Sequence, residues 1–159
     1  MIGSREELVL WLMQQDENKT FEVTEHKEKR SLNANAYFWV LVGKIAQATH
    51  STNEEVHTRL LQDYGQISIT DGVADWVVLP EGHSVVGEYL LPTPNKVKLQ
   101  TKKGERVGIV YIRLRGSRTY NTAEMARLID GTVSEAKELG IETMTPEQIE
   151  RLKKTWSQS

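Results

Sequence analysis

The sequence has 159 residues, a net charge of −2 and 38% hydrophobic residues, which is an ordinary composition for a globular domain with a sizeable core. It contains no cysteine, so disulfides, a thiol nucleophile and thiolate metal sites are excluded. Neither a membrane-spanning run of about eighteen apolar residues nor a signal peptide is predicted, so we expect a cytoplasmic protein with no membrane partner.

The charge is unevenly distributed along the chain. Residues 1–95 carry a net charge of −7, residues 96–118 carry +7, and residues 119–159 carry −2. An anionic partner is therefore expected to bind the middle block. The acidic remainder would discourage indiscriminate binding to any polyanion.

The N-terminal third is predicted to be mostly helical. Ser4 and Glu7 have capping-box spacing, which predicts a first helix over residues 5–15. Alternating apolar residues predict a short strand over 20–25. Residues 31–48 form a helix that is apolar nearly all round, which places it in the middle of the domain. Its main buried face is predicted to comprise Leu32, Ala36, Trp39, Val40, Gly43 and Ala46, widened by Phe38, Leu41, Val42 and Ile45.

The start of this central helix has the composition of an anion site. Lys29 and Arg30 precede it, Ser31 is its predicted cap, and Asn33 and Asn35 lie in its first turn. A helix N-terminus presents free N–H groups and a partial positive charge, so it suits a phosphate. The alternative is that both cations are solvated and Ser31 only caps the helix.

A second helix is predicted after a short turn. Thr52 and Glu55 form another capping box, and the helix ends at Tyr64 before Gly65, a typical C′ residue. Because glutamates begin this helix, a plain helical hairpin is favoured over a DNA-reading helix-turn-helix.

The following region is less regular. A short strand is predicted over residues 67–70, and residues 76–79 are apolar enough to be buried. Pro92 and Pro94 argue against a long helix over residues 84–94.

The clearest strands form a basic β-hairpin. Residues 97–101 and 106–114 have strand-like alternation, and residues 102–105 form the turn between them. The face of the second strand that is predicted to point to the core carries Gly108, Val110, Ile112 and Leu114. The opposite face changes from apolar to cationic along its length.

Two more helices are predicted near the C-terminus. Asn121 or Thr122 caps a helix that Gly140 ends, with Gly131 as a weak point in its middle. Residues 145–148 combine a cap, a proline at N1 and a glutamine at N3, which predicts the start of a last helix.

No enzyme active site is predicted. P-loop and Rossmann motifs are absent, the four histidines lack metal-ligand spacing, and no Ser/His/Asp arrangement is visible. Asp71 with Asp75 or Glu88 could hold a magnesium ion as in a nuclease, although scattered loop carboxylates are common. We therefore predict no catalytic residue, no metal and no cofactor.

The hairpin has the features of a single-strand binder, because cations suit phosphates and aromatic rings suit unpaired bases. The residues predicted to bind DNA here are Lys102, Lys103, Arg106, Tyr111, Arg113, Arg115, Arg118 and Tyr120. We expect Arg113→Ala with Arg115→Ala to weaken binding while leaving the fold intact. The alternative is a solvated hairpin whose charges only protect an edge strand.

Two stretches resemble the NinB family of phage recombination proteins, the family of lambda Orf. The first is Lys29-Arg30-Ser31-Leu32-Asn33-x-Asn35 followed by Trp39, and the second is Gly116-Ser117-Arg118 followed by a helix with Met125-Ala126-Arg127-Leu128. The chain also closes as that family does, with Gly140-Ile141, a cap at Thr145 and a terminal helix with Trp156. Residues 66–103 depart from the family pattern.

The resemblance implies a small dimeric protein that binds single-stranded DNA in a bacterial host and has no catalytic centre. Such proteins help load a recombinase onto strands coated by single-strand-binding protein. The matching residues, which would form the family's helix start and second loop, are Arg30, Ser31, Asn33, Asn35, Ser117 and Arg118. Lys29, Arg30 and Asn33 are therefore added to the residues predicted to bind DNA.

We therefore predict one α+β domain over residues 1–159, with a small antiparallel sheet packed against about five helices. The predicted function is a recombination mediator that binds single-stranded DNA without sequence specificity. A metal-dependent nuclease or resolvase, and a non-enzymatic interaction module such as a phage inhibitor of a host protein, remain alternatives. Trp156 or Trp11 is a candidate dimer contact, although core packing is favoured for Trp11.

Overall fold

The computed structural model describes residues 2–24 and 32–157 and shows an α+β fold, as predicted. The helices are α1 (Arg5–Met13), α2 (Leu32–Thr49), α3 (Asn53–Tyr64), α4 (Thr122–Glu138) and α5 (Pro146–Ser157). The strands are β1 (Ile69–Thr70), β2 (Val73–Ala74), β3 (Trp76–Pro80), β4 (Leu90–Thr101) and β5 (Gly104–Arg113). A 3-10 turn, Ser117–Thr119, precedes α4.

Helix ends follow local sequence signals. The predicted capping boxes are confirmed at the starts of α1, α3 and α5 by the pairs Ser4–Glu7, Thr52–Glu55 and Thr145–Gln148. Asn121 caps α4, and Gly140 follows that helix with a φ of 73°. These signals are reliable because each cap joins groups only three residues apart.

Four helices build the core. α2 packs against α3, α4 and α5, so its predicted central position is confirmed. Its fully buried side chains are Phe38, Leu41, Val42 and Ile45. Of the predicted main buried face, Ala46 is buried, but the prediction is wrong for Trp39 and Val40, which are 40% and 50% exposed. When nearly every side of a helix is apolar, spacing alone does not select the side that faces the core.

The larger sheet has three antiparallel strands in the order β3-β5-β4. The predicted hairpin is confirmed as β4–β5, but β4 already starts at Leu90 and includes Pro92 and Pro94. Proline has no N–H to donate, and β4 accommodates both residues because it is an edge strand with a bulge between Pro92 and Lys96.

Burial in the larger sheet is divided between its two faces. On the predicted core face of β5, Gly108 is buried but Val110 and Ile112 are only half-buried. Tyr111, on the opposite face, is only 5% exposed. The predicted core face is thus confirmed at Gly108 and at Leu114, which belongs to the core, but the buried Tyr111 shows that burial is not confined to that face. The main helix contact of this sheet is between α3 and β4.

Three local predictions are also corrected. Residues 20–24 form no strand, and Glu25 lies outside the described residues. Trp76, predicted to be buried, is 63% exposed. Gly65 has a φ of −80° and is not a left-handed C′ residue; instead, a side chain there would collide with the preceding helical turn and the Tyr120 hydroxyl.

Candidate nucleic-acid interface

Acidic neighbours neutralise part of the basic block. Lys96 Nζ lies 2.8 Å from Glu81 Oε1, and Lys98 Nζ lies 3.5 Å from Glu105 Oε1. Exposed pairs of this kind add little stability, but each carboxylate still cancels much of the field of its lysine. Both lysines therefore attract a phosphate less than the count of charges in the sequence suggests.

Arg115 stabilises the fold. Its guanidinium donates to the Glu124 carboxylate and lies over the Tyr120 ring, 5.5 Å from the ring centroid. Glu124 also accepts the Asn121 N–H at 2.9 Å, which completes the cap of α4. The expectation that Arg115→Ala leaves the fold intact does not fit these contacts, because the substitution removes an ion pair and a cation–π contact together.

Five cations of the predicted set are exposed and lie in two groups. Lys102, Lys103 and Arg106 are at the hairpin tip, whereas Arg113 and Arg118 are at its base. No carboxylate among residues 2–24 and 32–157 forms an ion pair with any of the five. At about 3.4 Å per residue, Arg106 and Arg113 are roughly 24 Å apart, so the two groups would meet phosphates several nucleotides apart.

Neither predicted stacking tyrosine is accessible to a base. Tyr111 is 5% exposed and Tyr120 is 2% exposed. The Tyr120 hydroxyl accepts the Gln66 N–H at 2.9 Å and donates to the Arg115 carbonyl at 3.2 Å. The stacking role predicted for the two tyrosines is therefore corrected, because their rings are used to pack the fold.

The exposed aromatic rings lie elsewhere. Trp76 begins β3 beside Ile112 of β5, and most of its side chain is accessible. Trp39 stacks on His57 with 4.4 Å between ring centroids, and Tyr89 meets His57 edge-on at 5.7 Å. Sequence reasoning missed the exposure of Trp76 and of Trp39. An apolar pattern marks tryptophans as core residues, and no local signal shows which of them stays exposed.

The two stretches that carry the family resemblance lie side by side. The Ser117 hydroxyl donates to Asn35 Oδ1 at 2.9 Å, although 82 residues separate them. Ser117 is buried, whereas the adjacent Arg118 is exposed. Four residues of the predicted helix start lie outside the described residues, entirely or in their side chains: Lys29, Arg30, Ser31 and Asn33. Their predicted contacts with DNA stay predictions.

The carboxylates considered for magnesium make separate local contacts. Asp75 accepts hydrogen bonds from Ser68 and Thr70, whereas Glu88 contacts His83 at 3.1 Å. In the part of the chain that the structure describes, no three His, Asp or Glu side chains are grouped as metal ligands. No helix within that part is long and apolar enough to cross a membrane.

Comparison with known proteins gave no significant match to any family model, any curated protein or any solved structure. The resemblance to the NinB family therefore rests on the quoted motifs alone.

Proposed function

We propose that this protein binds single-stranded DNA through the β4–β5 hairpin and acts as a phage-type recombination accessory protein. The observation that carries the proposal is the hairpin tip, where Lys102, Lys103 and Arg106 are exposed without an ion-pair partner among the described residues. Cations that are not already paired can replace the counterions of a nucleic-acid backbone, and this exchange drives binding to a polyanion.

An exposed aromatic ring supports a preference for single strands over duplex. Trp76 pairs with Ile112 of β5, one residue before Arg113, so an exposed ring and an exposed cation lie at the same end of the sheet, on its two opposite faces. An unpaired base can stack on such a ring, whereas the bases of a duplex are already stacked on each other. Trp76 therefore takes the stacking role that sequence reasoning gave to Tyr111 and Tyr120.

The accessory role rests on the family resemblance. In this proposal the protein works as a homodimer without a cofactor, beside a single-strand-binding protein and a recombinase. The hydrogen bond between Asn35 and the buried Ser117 brings the two motifs that carry the resemblance into contact. Arg118, next to Ser117, is exposed and could contact DNA there.

Fluorescence anisotropy of a labelled single-stranded oligonucleotide tests the binding directly. The titration is run at two salt concentrations, with unlabelled duplex as competitor, and with and without magnesium. We expect binding that weakens with salt and that duplex displaces poorly. Absence of binding at low salt would contradict the proposal and favour a protein-interaction module, and magnesium-dependent cutting would favour a nuclease.

Removal of the tip charges gives a sharper prediction. The variant Lys102→Ala/Lys103→Ala/Arg106→Ala should bind less tightly and should lower the slope of log K against log salt by about 2, since each phosphate contact to a single strand contributes about 0.7. The control is Lys19→Ala/Lys44→Ala/Lys137→Ala, which removes three exposed cations outside the hairpin. Equal slopes in the two variants would show that DNA does not contact the tip.

A further inference from the structure

The two faces of the larger sheet differ in chemistry. Strand pairing places Trp76 of β3 beside Ile112 of β5, and side chains two residues apart on one strand point to the same face. One face is therefore lined by apolar side chains from all three strands, and we call it the apolar face. These side chains are Trp76, Val78, Val97, Leu99, Val110 and Ile112.

Gly108 lies at the centre of the apolar face and lets the side chains of both edge strands meet. A Cβ on this residue would lie 2.6 Å from Val78 Cγ1, 3.3 Å from Leu99 Cβ and 3.4 Å from Val97 Cγ2. Val78 belongs to β3 and the other two residues belong to β4, so side chains from both edges cover the glycine. The apolar face is therefore continuous from one edge of the sheet to the other.

The apolar face lies largely outside the helical core. Trp76 is 63% exposed and Val97 is 41% exposed, whereas the other four side chains are half-buried. Among the residues of the three strands, Leu91, which pairs with Ile112, is the one that packs against the core. Single exposed apolar side chains need no explanation, but a group of them on one face marks a contact surface.

Charged residues are also divided between the two faces. Lys96, Lys98, Glu105 and Arg113 point away from the apolar face. Arg106, which pairs with Leu99, is the one charged residue of the three strands on the apolar face, and no described carboxylate forms an ion pair with it. Its guanidinium lies beside the two lysines of the hairpin turn. The charge at this end of the apolar face therefore suits a polyanion.

We propose that the apolar face receives unpaired bases of the bound strand, while Arg106 and the lysines of the tip hold its phosphates. The inference rests on the proposed binding of single-stranded DNA and names the surface that the bases contact. A base can stack on the Trp76 ring and lie against the valine and leucine side chains, which removes apolar area of both partners from water. Six residues of β5 separate Arg106 from Ile112, or roughly 20 Å at 3.4 Å per residue, so more than one base can be accommodated.

The chemistry of the apolar face predicts which partner it accepts. An apolar peptide would leave the cations of the tip unpaired, whereas a nucleic-acid strand supplies phosphates for the cations and flat rings for the apolar side chains. The bases of a duplex are stacked on each other and are not available to this face. Apart from the Trp76 N–H, the six apolar side chains offer base edges no hydrogen bond, so discrimination among the four bases should be weak.

Two oligonucleotides of equal charge separate base contacts from phosphate contacts. One is a 15-mer of thymidine, and the other is a 15-mer of abasic sites on the same phosphodiester backbone. We expect the wild-type protein to bind the thymidine 15-mer roughly tenfold more tightly in anisotropy titrations, because only that strand has bases to place on the apolar face. The abasic 15-mer reports phosphate binding by itself.

Val97→Asp assigns the base contacts to this face. It places a carboxylate in the middle of the apolar face, so the two oligonucleotides should bind nearly equally. The matched control is Val107→Asp, because Val107 is 45% exposed in the neighbouring row of the same hairpin but points to the opposite face. Each variant adds one negative charge that acts on both oligonucleotides, so the ratio of the two affinities isolates the bases. Val107→Asp should keep the tenfold ratio.

Photocrosslinking tests the same surface without a substitution. The thymidine 15-mer with one central 5-iododeoxyuridine is irradiated on the wild-type protein, and the crosslinked residue is identified by mass spectrometry. We expect the crosslink at Trp76, the aromatic ring of the apolar face. Crosslinks at Trp39 or Tyr89 with none at Trp76 would overturn the assignment even if Val97→Asp failed to fold.

The outcomes separate the two proposals. Equal binding of the two oligonucleotides to the wild-type protein would overturn the base contacts and leave binding through the tip intact. A tenfold ratio that persists in Val97→Asp would overturn the assignment to the apolar face. Failure of both oligonucleotides to bind at low salt would overturn both proposals.

Discussion

His57 on α3 lies inside a small aromatic cluster. Phe38 and Trp39 from α2 and Tyr89 from the segment before β4 surround it, with ring centroids 4.4 to 5.7 Å from the imidazole. Because burial disfavours the charged imidazolium, the pKa of His57 lies below its ordinary value. The sequence shows only a histidine without metal-ligand spacing, since the neighbours that lower its pKa come from separate parts of the chain.

This burial predicts a loss of stability in mild acid. The unfolded chain binds a proton at His57 below about pH 6.5, whereas the folded protein resists protonation, so the free energy of unfolding falls as the pH drops below that value. Each unit by which the pKa is lowered corresponds to about 1.4 kcal/mol. Urea midpoints between pH 5 and 7.5 measure the effect.

His57→Phe should flatten this part of the pH profile, because phenylalanine can stay in the cluster without titrating. An unchanged slope in His57→Phe would assign the acid sensitivity to other groups.

At the level of elements, helices were predictable and most of the sheet was not. The caps at Ser4, Thr52 and Thr145 are confirmed because a cap is decided by residues three positions apart. A strand needs a partner that may be distant in sequence, so residues 20–24 alternate correctly and still form no strand. Conversely, Pro92 was evidence against a helix but gave no sign of the edge strand that contains it.

Two helical glycines give opposite predictions for the same substitution. In α4, a Cβ on Gly131 would collide with the Tyr64 ring, so Gly131→Ala should lower the free energy of unfolding by about 1–3 kcal/mol. In α2, a Cβ on Gly43 would meet no atom within 4 Å, so Gly43→Ala should raise it by about 0.5–1 kcal/mol. Chemical denaturation of both variants measures the difference. Stabilisation by Gly131→Ala would show that Tyr64 moves aside at little cost.

At the level of the whole molecule, the distribution of charge along the sequence located the basic block. It did not show which cations of that block are left without an ion pair and can bind a phosphate. Lys96, Lys98 and Arg115 are compensated by carboxylates from the turn after β3, from β5 and from α4. Which cation meets which acid depends on tertiary packing, so it cannot be read from a one-dimensional distribution. The tip remains the strongest candidate contact because Lys102, Lys103 and Arg106 form no ion pair among the described residues, and Glu105, the carboxylate within the tip, pairs with Lys98.

The side chains of residues 2–24 are mostly exposed in the single chain. It carries five carboxylates and two cations, and no side chain of α1 is buried. Trp11 meets Phe21 edge-on at 5.3 Å but does not join the core, so the core role favoured for it is wrong. The exposed apolar side chains of the segment are Ile2, Val9, Leu10, Met13, Phe21 and Val23. The side chain of Trp156, the other candidate dimer contact, lies outside the described residues.

We expect this segment to take part in the proposed homodimer, because a nine-residue helix is too short to be stable without packing. Leu10→Glu with Met13→Glu should convert a dimer to a monomer in light-scattering measurements, since it places charges on the apolar contact. Gln14→Glu adds a charge to the same segment without removing apolar area and should leave the dimer intact. A monomeric wild-type protein at high micromolar concentration would contradict this expectation.

The edges of the larger sheet also affect how the protein behaves in solution. Among residues 2–24 and 32–157, no strand pairs with the outer side of β3 or of β4, where another polypeptide could add a strand. Pro80 ends β3, and the bulge after Pro92, together with Pro94 and Lys96, interrupts β4. Prolines, bulges and lysines at these positions block strand addition, which otherwise leads to aggregation. The chain can therefore expose a long hairpin to a partner without also exposing a template for its own polymerisation.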